Sequence, residues 1–525
     1  MIGINKSNII GLCSCLAAAI STSVCAANFA NNDTNNIWLQ KRPSFFRFSF
    51  DNVKMPATIQ NMGLLGINYF TDITPNLYAG VGSYGALTGT QGGLFTLGLG
   101  GGIHQNLMDH LSADAGLYIG GGGGRSSLVG NGLMLRPYAG LMYSWNWARI
   151  GVHYSYIDFP DGEIRSQQIG LDFDIPFNFY YVSADYASPG LLTAKQISVF
   201  NGSYLSYQRN DFGLLIQAYF QHQGTTNVHG AIQDGTIGLV GAELDHYITE
   251  KSFWWIKADG AFSGIPNGYM DVLGGLGYRW NISQYNGIAI LPQFGLGAGG
   301  GGNVDTGGGV LIQPEISVDI PITSHFSGRV SGGYVWAPDG QLGAYTTTGE
   351  LIYHLDVAAE SHTPPIHLSD HYLLQNWRIF LFNQTYLHPQ RAHNSITSPA
   401  NLVAIQIDQL FTPHFFLCYQ AASAYGGTGT GGLATGMIGV GLQSGELLNK
   451  QLHFFTEALV GAAGGGGLAL SGGSIIEPVI GLHVGLSPSV ALQMSIGQLK
   501  ALQDHLNTPV INLGFAFSFG MLNRQ

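Results

Sequence analysis

The sequence predicts an all-β fold, namely a transmembrane antiparallel β-barrel of about 24–26 strands. Three observations support this prediction: a long unit that occurs three times, a very small share of charged residues, and apolar residues that recur at every second position. The repeat carries the most weight, because it determines how the chain divides into structural units.

Each copy of the repeated unit contains a run of glycines between two apolar segments, and the second segment ends in a polar residue and proline. The glycine runs and their prolines are 120–124 with Pro137, 299–302 with Pro314, and 464–467 with Pro478. Coincidence is the alternative in a chain with 77 glycines, but the ordered flanks and matching prolines favour copies of one unit. We therefore predict three homologous units of eight strands each.

Composition restricts the class of protein. Only 10% of the residues are charged, against about 25% in ordinary soluble domains. Beyond the N-terminus no window offers the roughly 20 consecutive apolar residues of a membrane helix. A membrane β-barrel fits such a chain, because its apolar residues occupy alternate positions, whereas the many aliphatic and aromatic residues oppose low-complexity disorder. The net charge of −11 indicates no basic surface for nucleic acid.

The N-terminus predicts a cleaved signal peptide at residues 1–27. Lys6 supplies a positive charge, an apolar stretch follows, and small residues up to Ala27 provide a cleavage site. A lipoprotein that uses Cys25 is the less favoured alternative, because the residues before it match that signal poorly. Cleavage near Ala27 would leave Cys418 alone, so no disulfide framework is expected.

From residue 43 onward, segments of about 9–11 residues alternate with polar or glycine-rich turns, as expected of transmembrane strands. The segment 147–156 has a period of two, because small and polar residues alternate there with Ile150, Val152 and Tyr154. The predicted division is the signal peptide at 1–27, barrel repeat unit one at 28–178, a joining hairpin at 179–211, unit two at 212–356, a polar joint at 357–375, and unit three at 376–525.

Aromatic residues cluster at the ends of the predicted strands, where membrane interfaces favour rings with a polar tip. Core packing in a soluble β-protein is the alternative, which the scarcity of charges opposes. The clustered residues are Tyr143, Trp145, Trp147, Trp254, Trp255, Tyr278, Trp280, Trp336 and Trp377.

The chain as a whole resembles bacterial outer-membrane β-barrel proteins of the porin-like kind, without a specific family. The resemblance is carried by the glycine-rich segment before Pro314, by the motif at 334–338, and by the aromatic ending at 515–519, which resembles their terminal strand. It implies a location in the bacterial outer membrane, contact with lipid and lipopolysaccharide, and insertion by the barrel-assembly machinery. Here residues 520–525 follow the aromatic ending, which is a departure from the usual pattern.

Each unit has an even number of strands, so two arrangements are open. The three units share the wall of one large barrel, or each unit closes as a separate barrel. We favour a single large barrel, since separate membrane barrels in one chain are rare. Three tandem eight-stranded barrels with filled interiors are the alternative. Glycines on the face away from lipid suggest a lumen that is narrowed or plugged.

The glycine runs supply the candidate site residues, as possible lumen or contact positions. One hypothesis is that bare backbone at three equivalent positions accepts a lipid, a glycan or an inward loop. Flexible strand ends or turns are the favoured alternative. The candidate residues are Gly121, Gly122, Gly300, Gly301, Gly465 and Gly466.

No catalytic, cofactor or metal site is predicted. The matches to the dinucleotide glycine pattern precede turns and strands, whereas pyrophosphate binding needs a helix N-terminus. Histidine groups could hold a metal or haem, but their spacing is irregular and solvated loop residues are favoured. These groups are His222 with His229, His362 with His367 and His371, and His388 with His393.

The predicted function is porin-like passage of small or hydrophobic solutes across the outer membrane. A non-conducting structural or surface-interaction barrel is the alternative. A lipid-modifying outer-membrane enzyme is less favoured, because no catalytic motif supports it.

Overall fold

The computed structural model describes residues 37–124, 126–186, 190–199, 202–264, 268–282, 287–362, 371–392, 398–445, 447 and 452–525. The predicted signal peptide lies outside the described residues. Within them the chain is almost entirely antiparallel β-strand, interrupted by a short helix α1 (Ser126–Val129) and two 3-10 turns. Among these residues, no helix combines the length and the apolar character needed to cross a membrane.

A short strand β1 (Ile37–Trp38) precedes a first set of eight strands, in which each strand pairs with the next. Their bounds are β2 (Gln40–Val53), β3 (Met62–Asp72), β4 (Leu77–Thr88), β5 (Phe95–Met108), β6 (Leu111–Gly122), β7 (Met134–Ser144), β8 (Arg149–Asp158) and β9 (Arg165–Ser183). The last strand pairs with β2, from Gln40 opposite Tyr181 to Asp51 opposite Gly170. This ladder closes the set, which we call the first barrel.

A second closed set follows two short strands, β10 (Gly190–Thr193) and β11 (Ile197–Ser198). Its bounds are β12 (Tyr204–Gln221), β13 (Thr236–Tyr247), β14 (Ser252–Ser263), β15 (Met270–Tyr278) continued by β16 (Trp280–Asn281), β17 (Ala289–Gly300), β18 (Val310–Pro321), β19 (Phe326–Trp336) and β20 (Gly343–Ser361). Strand β12 pairs with β20 over its whole length, from Tyr204 opposite Ser361 to Gln221 opposite Ala344. This set is the second barrel.

The third barrel contains the remaining strands. Its bounds are β21 (His371–Tyr386), β22 (Ala400–Leu410), β23 (Phe415–Gly426), β24 (Ala434–Gln443), β25 (Leu452–Gly464), β26 (Ser474–Ser487), β27 (Val490–Ala501) and β28 (Asn507–Arg524). It closes through β21 and β28, from Tyr372 opposite Arg524 to Tyr386 opposite Val510.

The all-β antiparallel prediction is confirmed, but the pairing does not form the single wall that we favoured. The first and last strands of each set pair with each other, so the described strands close in three places. A closed set pairs its own backbone groups and leaves no long edge for the next set. Backbone pairing between strands of different barrels is short. For example, β28 pairs with β9 at Phe519 and Gly520.

The predicted joining hairpin at 179–211 does not form as a separate element. Residues 179–183 are the end of β9 and residues 204–211 are the start of β12. Each of these strands pairs within its own barrel. Between them β10 pairs with the start of β21, and β11 pairs in parallel with β1. In the polar joint at 357–375, β20 continues to Ser361 and β21 begins at His371.

The strand ends near these joints share a hydrophobic cluster, and we call this side of the molecule the joint end. The cluster combines residues of all three barrels, so burying it holds their ends together. Its buried members are Leu39, Val182, Ile197, Leu205, Ala358, Tyr372, Leu374 and Leu522.

Connections at the opposite side, which carries the glycine runs and which we call the tract end, are longer. Representative joint-end turns are 73–76, 109–110 and 488–489, and representative tract-end loops are 54–61, 222–235 and 301–309. Outer-membrane barrels have the same asymmetry, with short periplasmic turns and longer extracellular loops.

Side chains alternate between the interior and the exterior along the strands. In β8, His153 and Ser155 are buried, whereas Ile150, Val152 and Tyr154 are exposed. This pattern is the inverse of a soluble protein, because the polar residues lie inside and the apolar residues face outward. The alternation predicted for the segment 147–156 is therefore confirmed.

Candidate functional site

The interior of the first barrel is organised around Arg47, which is 2% exposed. Its Nε and Nη2 atoms donate to Asp174 on the neighbouring strand at 2.8 and 2.9 Å. Its Nη1 atom donates to Asp114 on the far wall at 2.8 Å. Tyr78 donates to Asp114 at 2.9 Å and lies 2.8 Å from the hydroxyl of Tyr138. The ion pairs therefore cross the interior from wall to wall.

A second polar layer lies closer to the tract end of the same barrel. Arg136 Nε donates to Asp51 Oδ2 at 2.8 Å. The ring of His153 bridges two carboxylates, with Nε2 at 3.0 Å from Asp51 and Nδ1 at 2.8 Å from Asp172. The Ser155 hydroxyl donates to Asp51 at 2.6 Å. All of these groups are buried, so the layer fills the interior with paired charges.

The second barrel contains a similar layer around Arg329, but three acidic residues share this guanidinium. Arg329 donates to Glu243 at 3.0 Å and to Asp245 at 2.7 Å, and it lies 3.5 Å from Glu350. Lys257, which is 2% exposed, donates to two glutamines in the next layer. The interior of this barrel is therefore filled as well, with more carboxylates than cations around Arg329.

In the third barrel, Arg378 donates to Asp408 at 3.1 Å and to Gln443 at 2.6 Å. Gln406 donates to both Asp408 and Glu457, at 2.9 and 3.1 Å. Eight-stranded barrels are narrow enough for side chains to fill them. The described residues of all three barrels thus leave no wide water-filled passage.

The buried thiol of Cys418 lies in this interior, with ligand atoms of Asp408 and Glu457 within 4.8 Å. Thiolate and carboxylates are donors that divalent metals accept. Both carboxylates already accept hydrogen bonds from Gln406, and Asp408 also pairs with Arg378. We therefore assign no metal to this group.

The candidate glycines lie where the barrels meet or in the adjoining turns. A Cβ atom at Gly121 would lie 2.6 Å from the carbonyl oxygen of Ser423 in the third barrel, and one at Gly300 would lie 2.5 Å from the backbone nitrogen of Gly93 in the first. Gly122 accepts a hydrogen bond from the third barrel through its carbonyl, with the nitrogen of Gly432 at 3.1 Å. These three positions are contacts between barrels rather than lumen positions.

The other candidate glycines serve tight turns within their own barrels. Gly301, Gly465 and Gly466 have φ angles of +98°, +81° and +57°. L-residues with a side chain rarely adopt such angles, so glycine is the fitting residue there. At Gly301 and Gly465 an added Cβ would also meet a carbonyl of the same barrel. The glycines thus serve contacts between barrels and tight turns, and acceptance of a lipid or a glycan stays a prediction.

Small residues at equivalent positions form all three contacts between barrels. The contacts are cyclic, because each barrel packs on a different neighbour. A Cβ atom at Gly132, Gly309 or Gly473, each in the loop before its proline-containing strand, would meet the carbonyl of an alanine in the neighbouring barrel. These contacts are Gly132 with Ala424, Gly309 with Ala86, and Gly473 with Ala261. The first barrel thus packs on the third, the second on the first, and the third on the second.

Aromatic residues show two different roles. Trp145, Trp147 and Trp280 are 50%, 70% and 68% exposed near the joint end, as expected of a membrane girdle. Trp255 is instead buried inside the second barrel at 4% exposure. Trp254 lies 6.0 Å from Phe46 of the first barrel and contributes to the contact between barrels. The prediction that Trp255 belongs to a membrane girdle is therefore wrong, because this side chain lies in the barrel interior.

The described histidines do not converge on a metal. His222 Nε2 lies 2.8 Å from the hydroxyl of Tyr334, and the backbone nitrogen of His229 donates to Asn227. His367 and His393 lie outside the described residues. Sequence reasoning missed His153, although a histidine on the small-residue face of a predicted strand was a signal for an interior position.

A serine, an aspartate and a histidine meet in the tract-end loops of the third barrel. Ser471 Oγ donates to Asp504 at 2.6 Å, and His505 Nδ1 lies 2.5 Å from the same carboxylate. The hydrogen bond from Ser471 lowers the pKa of Asp504 below its usual range. The carboxylate lies between the hydroxyl and the imidazole, whereas nucleophilic catalysis needs the imidazole next to the hydroxyl. This arrangement does not activate Ser471.

The solved structures to which this chain is similar include proteins of Pseudomonas aeruginosa and Acinetobacter baumannii. OccK3 (OpdO) of Pseudomonas aeruginosa is 9% identical, with 92% of this chain and 96% of that chain covered and a TM-score of 0.21. OccAB4 of Acinetobacter baumannii is 8% identical, with 93% and 100% covered and a TM-score of 0.23. The outer membrane protein opdK of Pseudomonas aeruginosa is 6% identical, with 91% and 98% covered and a TM-score of 0.22.

No protein-family model matches the chain, and no curated protein matches it. Closed antiparallel ladders, an apolar exterior and polar interiors define its class. The chain has the architecture of a transmembrane β-barrel protein. The resemblance to bacterial outer-membrane β-barrel proteins noted in the sequence is confirmed at the level of this fold, with no specific family.

We expect Arg47→Met to destabilise the first barrel strongly, because it leaves the buried Asp114 without a cation and Asp174 with Arg149 alone, at 3.2 Å. Breaking a buried pair in this way costs about 3–5 kcal/mol of the free energy of unfolding. Urea unfolding in lipid vesicles, followed by tryptophan fluorescence, measures the loss. The control is Arg165→Met, whose side chain is 62% exposed and lies 3.3 Å from Asp158; it should cost about 0–1 kcal/mol. Equal losses would contradict a structural role for the Arg47 network.

We expect Gly300→Val to disturb the contact between the first two barrels, because its Cβ would overlap the backbone of Gly93 and its φ is +152°. The matched control is Gly332→Val, where nothing lies within 4 Å of the added Cβ. Heat-modifiable migration of the purified proteins reports the folded fraction. Gly300→Val should lower this folded fraction, and the control should not. A wild-type folded fraction for Gly300→Val would show that the backbones of Gly300 and Gly93 are not in tight contact.

Proposed function

We propose that the protein is a structural or surface-interaction barrel of the outer membrane rather than a wide solute pore. The observation that carries this proposal is the filling of each interior by side chains that bond across it, as Arg47 does with Asp114 and Asp174. Passage of solutes, the function favoured from sequence, would require these buried layers to rearrange. Breaking them leaves charges unpaired in a low-dielectric interior, which is costly.

The exterior supports a membrane location. Exposed apolar side chains recur on the outer faces of all three barrels, for example Ile169 at 73%, Ile216 at 64% and Ile480 at 58%. Such a surface is stable against lipid and not against water. We infer that outer-membrane lipid and lipopolysaccharide surround the barrels and that the barrel-assembly machinery inserts them. The signal peptide proposed at 1–27 fits export to this membrane.

We further propose that the three barrels are homologous copies of one eight-strand unit. The cyclic contacts support this, because Gly132, Gly309 and Gly473 occupy the same place relative to the prolines of the sequence repeat. Small residues at these positions let the barrels approach to backbone contact. The three copies would then act as one rigid body.

A surface role is supported by the tract-end loops. A shallow, open depression of about 440 Å³ lies there on the second barrel. It is lined by His222, Tyr334, Trp336, Gln341, Leu342 and Gly343. Aromatic rings with polar tips are typical of recognition surfaces. The long loops would carry the protein's contacts with its surroundings, and the barrels would position them.

In planar bilayers, the purified protein should show no large, uniform conductance steps, because the interiors are filled. Heat-modifiable migration of the same preparation provides the control that the barrels are folded. A uniform large step from folded protein would overturn the proposal and establish a diffusion pore.

The tract end should face the outside of the cell, because outer-membrane barrels place their longer loops there. Gln223→Cys lies in a tract-end loop and Glu250→Cys in a joint-end turn, and both positions are exposed. A membrane-impermeant maleimide should label the first in intact cells and the second only after permeabilisation. Cys418 is buried and should stay unlabelled. The reverse labelling pattern would invert the orientation.

A further inference from the structure

The second barrel holds a larger excess of buried carboxylates over buried cations than the first barrel does. Among the described residues its buried acids are Asp211, Glu243, Asp245, Asp259, Asp271, Glu315, Asp319 and Glu350. Its buried lysine and arginines are Lys257, Arg279 and Arg329. In the first barrel the buried acids are Asp51, Asp114, Asp172 and Asp174, beside Arg47, Arg136 and His153. Buried charge without a partner is costly, so the second interior needs further positive charge or protons.

Two of these carboxylates form a pair near the tract end. Asp259 on β14 lies directly opposite Asp271 on β15, and both are inside the barrel at 5% and 1% exposure. Cβ atoms of directly opposed residues lie about 4.5–5.5 Å apart, so their carboxylates share one space. Like charges in such a pair are destabilising. Asp271 Oδ2 is stabilised by hydrogen bonds from Tyr219 at 2.8 Å and Tyr269 at 3.0 Å.

Without a cation, a proton shared between the two carboxyl groups is the one donor available to the remaining oxygens of the pair among the described residues. Asp259 Oδ1, Asp259 Oδ2 and Asp271 Oδ1 are buried without a hydrogen-bond partner among the described residues. The ammonium of Lys257 lies 3.9 Å from Asp259, which is beyond hydrogen-bond distance. It donates instead to Gln217 and Gln313, each at 3.1 Å. The interior carboxylates of the first barrel that bind Arg47 and Arg136 have no such unpartnered oxygens.

The pair is specific to the second barrel. Equivalent hydrogen bonds, from Ala86 to Leu94, from Ala261 to Tyr269 and from Ala424 to Leu433, align the three barrels at this level. By that alignment, the positions of Asp259 and Asp271 are occupied by Tyr84 and Thr96 in the first barrel and by Ala422 and Thr435 in the third. The same wall therefore accepts neutral residues, and the carboxylates are not a requirement of the barrel geometry.

We propose that Asp259 and Asp271 bind one hard metal cation of the calcium type inside the second barrel. Three unpartnered carboxylate oxygens on facing strands supply the oxygen ligands that such a cation prefers. The cation offsets the repulsion within the pair and the carboxylate excess of this interior. Since Asp271 is the second residue of β15, the site lies close to the tract end. The proposal is independent of whether any barrel conducts solutes.

Terbium(III) is a suitable probe, because it occupies calcium sites and its emission is excited through nearby tyrosines. With the purified full chain, we expect saturable, tyrosine-excited emission at one ion per chain, displaced by calcium. Asp259→Ala combined with Asp271→Thr introduces the residues that the third barrel has at these positions. This variant should lose the saturable signal or bind roughly tenfold or more weakly, because affinity depends on ligand charge. Glu250→Gln, which removes an exposed carboxylate, should leave the signal unchanged.

Heat-modifiable migration establishes that each variant is folded. If the double variant does not fold, Asp259→Asn replaces it, since this change keeps the side-chain volume and removes one charge; it should weaken binding, but less than the double variant. Saturable emission that persists in a folded variant would overturn the proposal by locating the ion elsewhere. Emission that does not saturate in the wild-type protein, as from surface ions alone, would overturn it as well.

Discussion

Closure of the backbone ladders within each set of eight strands is the constraint on which the other features depend. An apolar surrounding offers no partner to an unpaired N–H or C=O group, so a strand edge facing it would be costly. Pairing β2 with β9, β12 with β20 and β21 with β28 removes these edges three times. Eight strands also set a small diameter, and side chains must then fill the interior.

Filling a narrow polar interior explains where the scarce charges of the chain lie. Arg47, Arg136, Arg329 and Arg378 are all buried, and each is bonded to carboxylates within its own barrel. A guanidinium suits this role because its fork of donors can join several strands at once. Each buried carboxylate of the first barrel bonds to a buried arginine or to His153, whereas the oxygens of Asp259 in the second barrel have no such partner.

The closed barrels still have to pack on one another, and small residues make this possible. Where neighbouring barrels meet at the tract end, glycine faces alanine or backbone, so the walls approach more closely than larger side chains would allow. At the joint end, the shared hydrophobic cluster joins the same three barrels. Together the two levels of contact fix the barrels as one body, in which the glycine runs serve packing and tight turns.

The sequence by itself determined the alternating strands, because a period of two and turn residues are local signals, as in the segment 147–156, most of which lies in β8. It also located the glycine runs and the class of membrane protein. Which strands close on each other was decided only by the tertiary structure, since an even number of strands permits one wall or three. The partners of Arg47, Asp259 and Asp271 likewise come from distant strands. Their grouping depends on barrel closure, which no local pattern encodes.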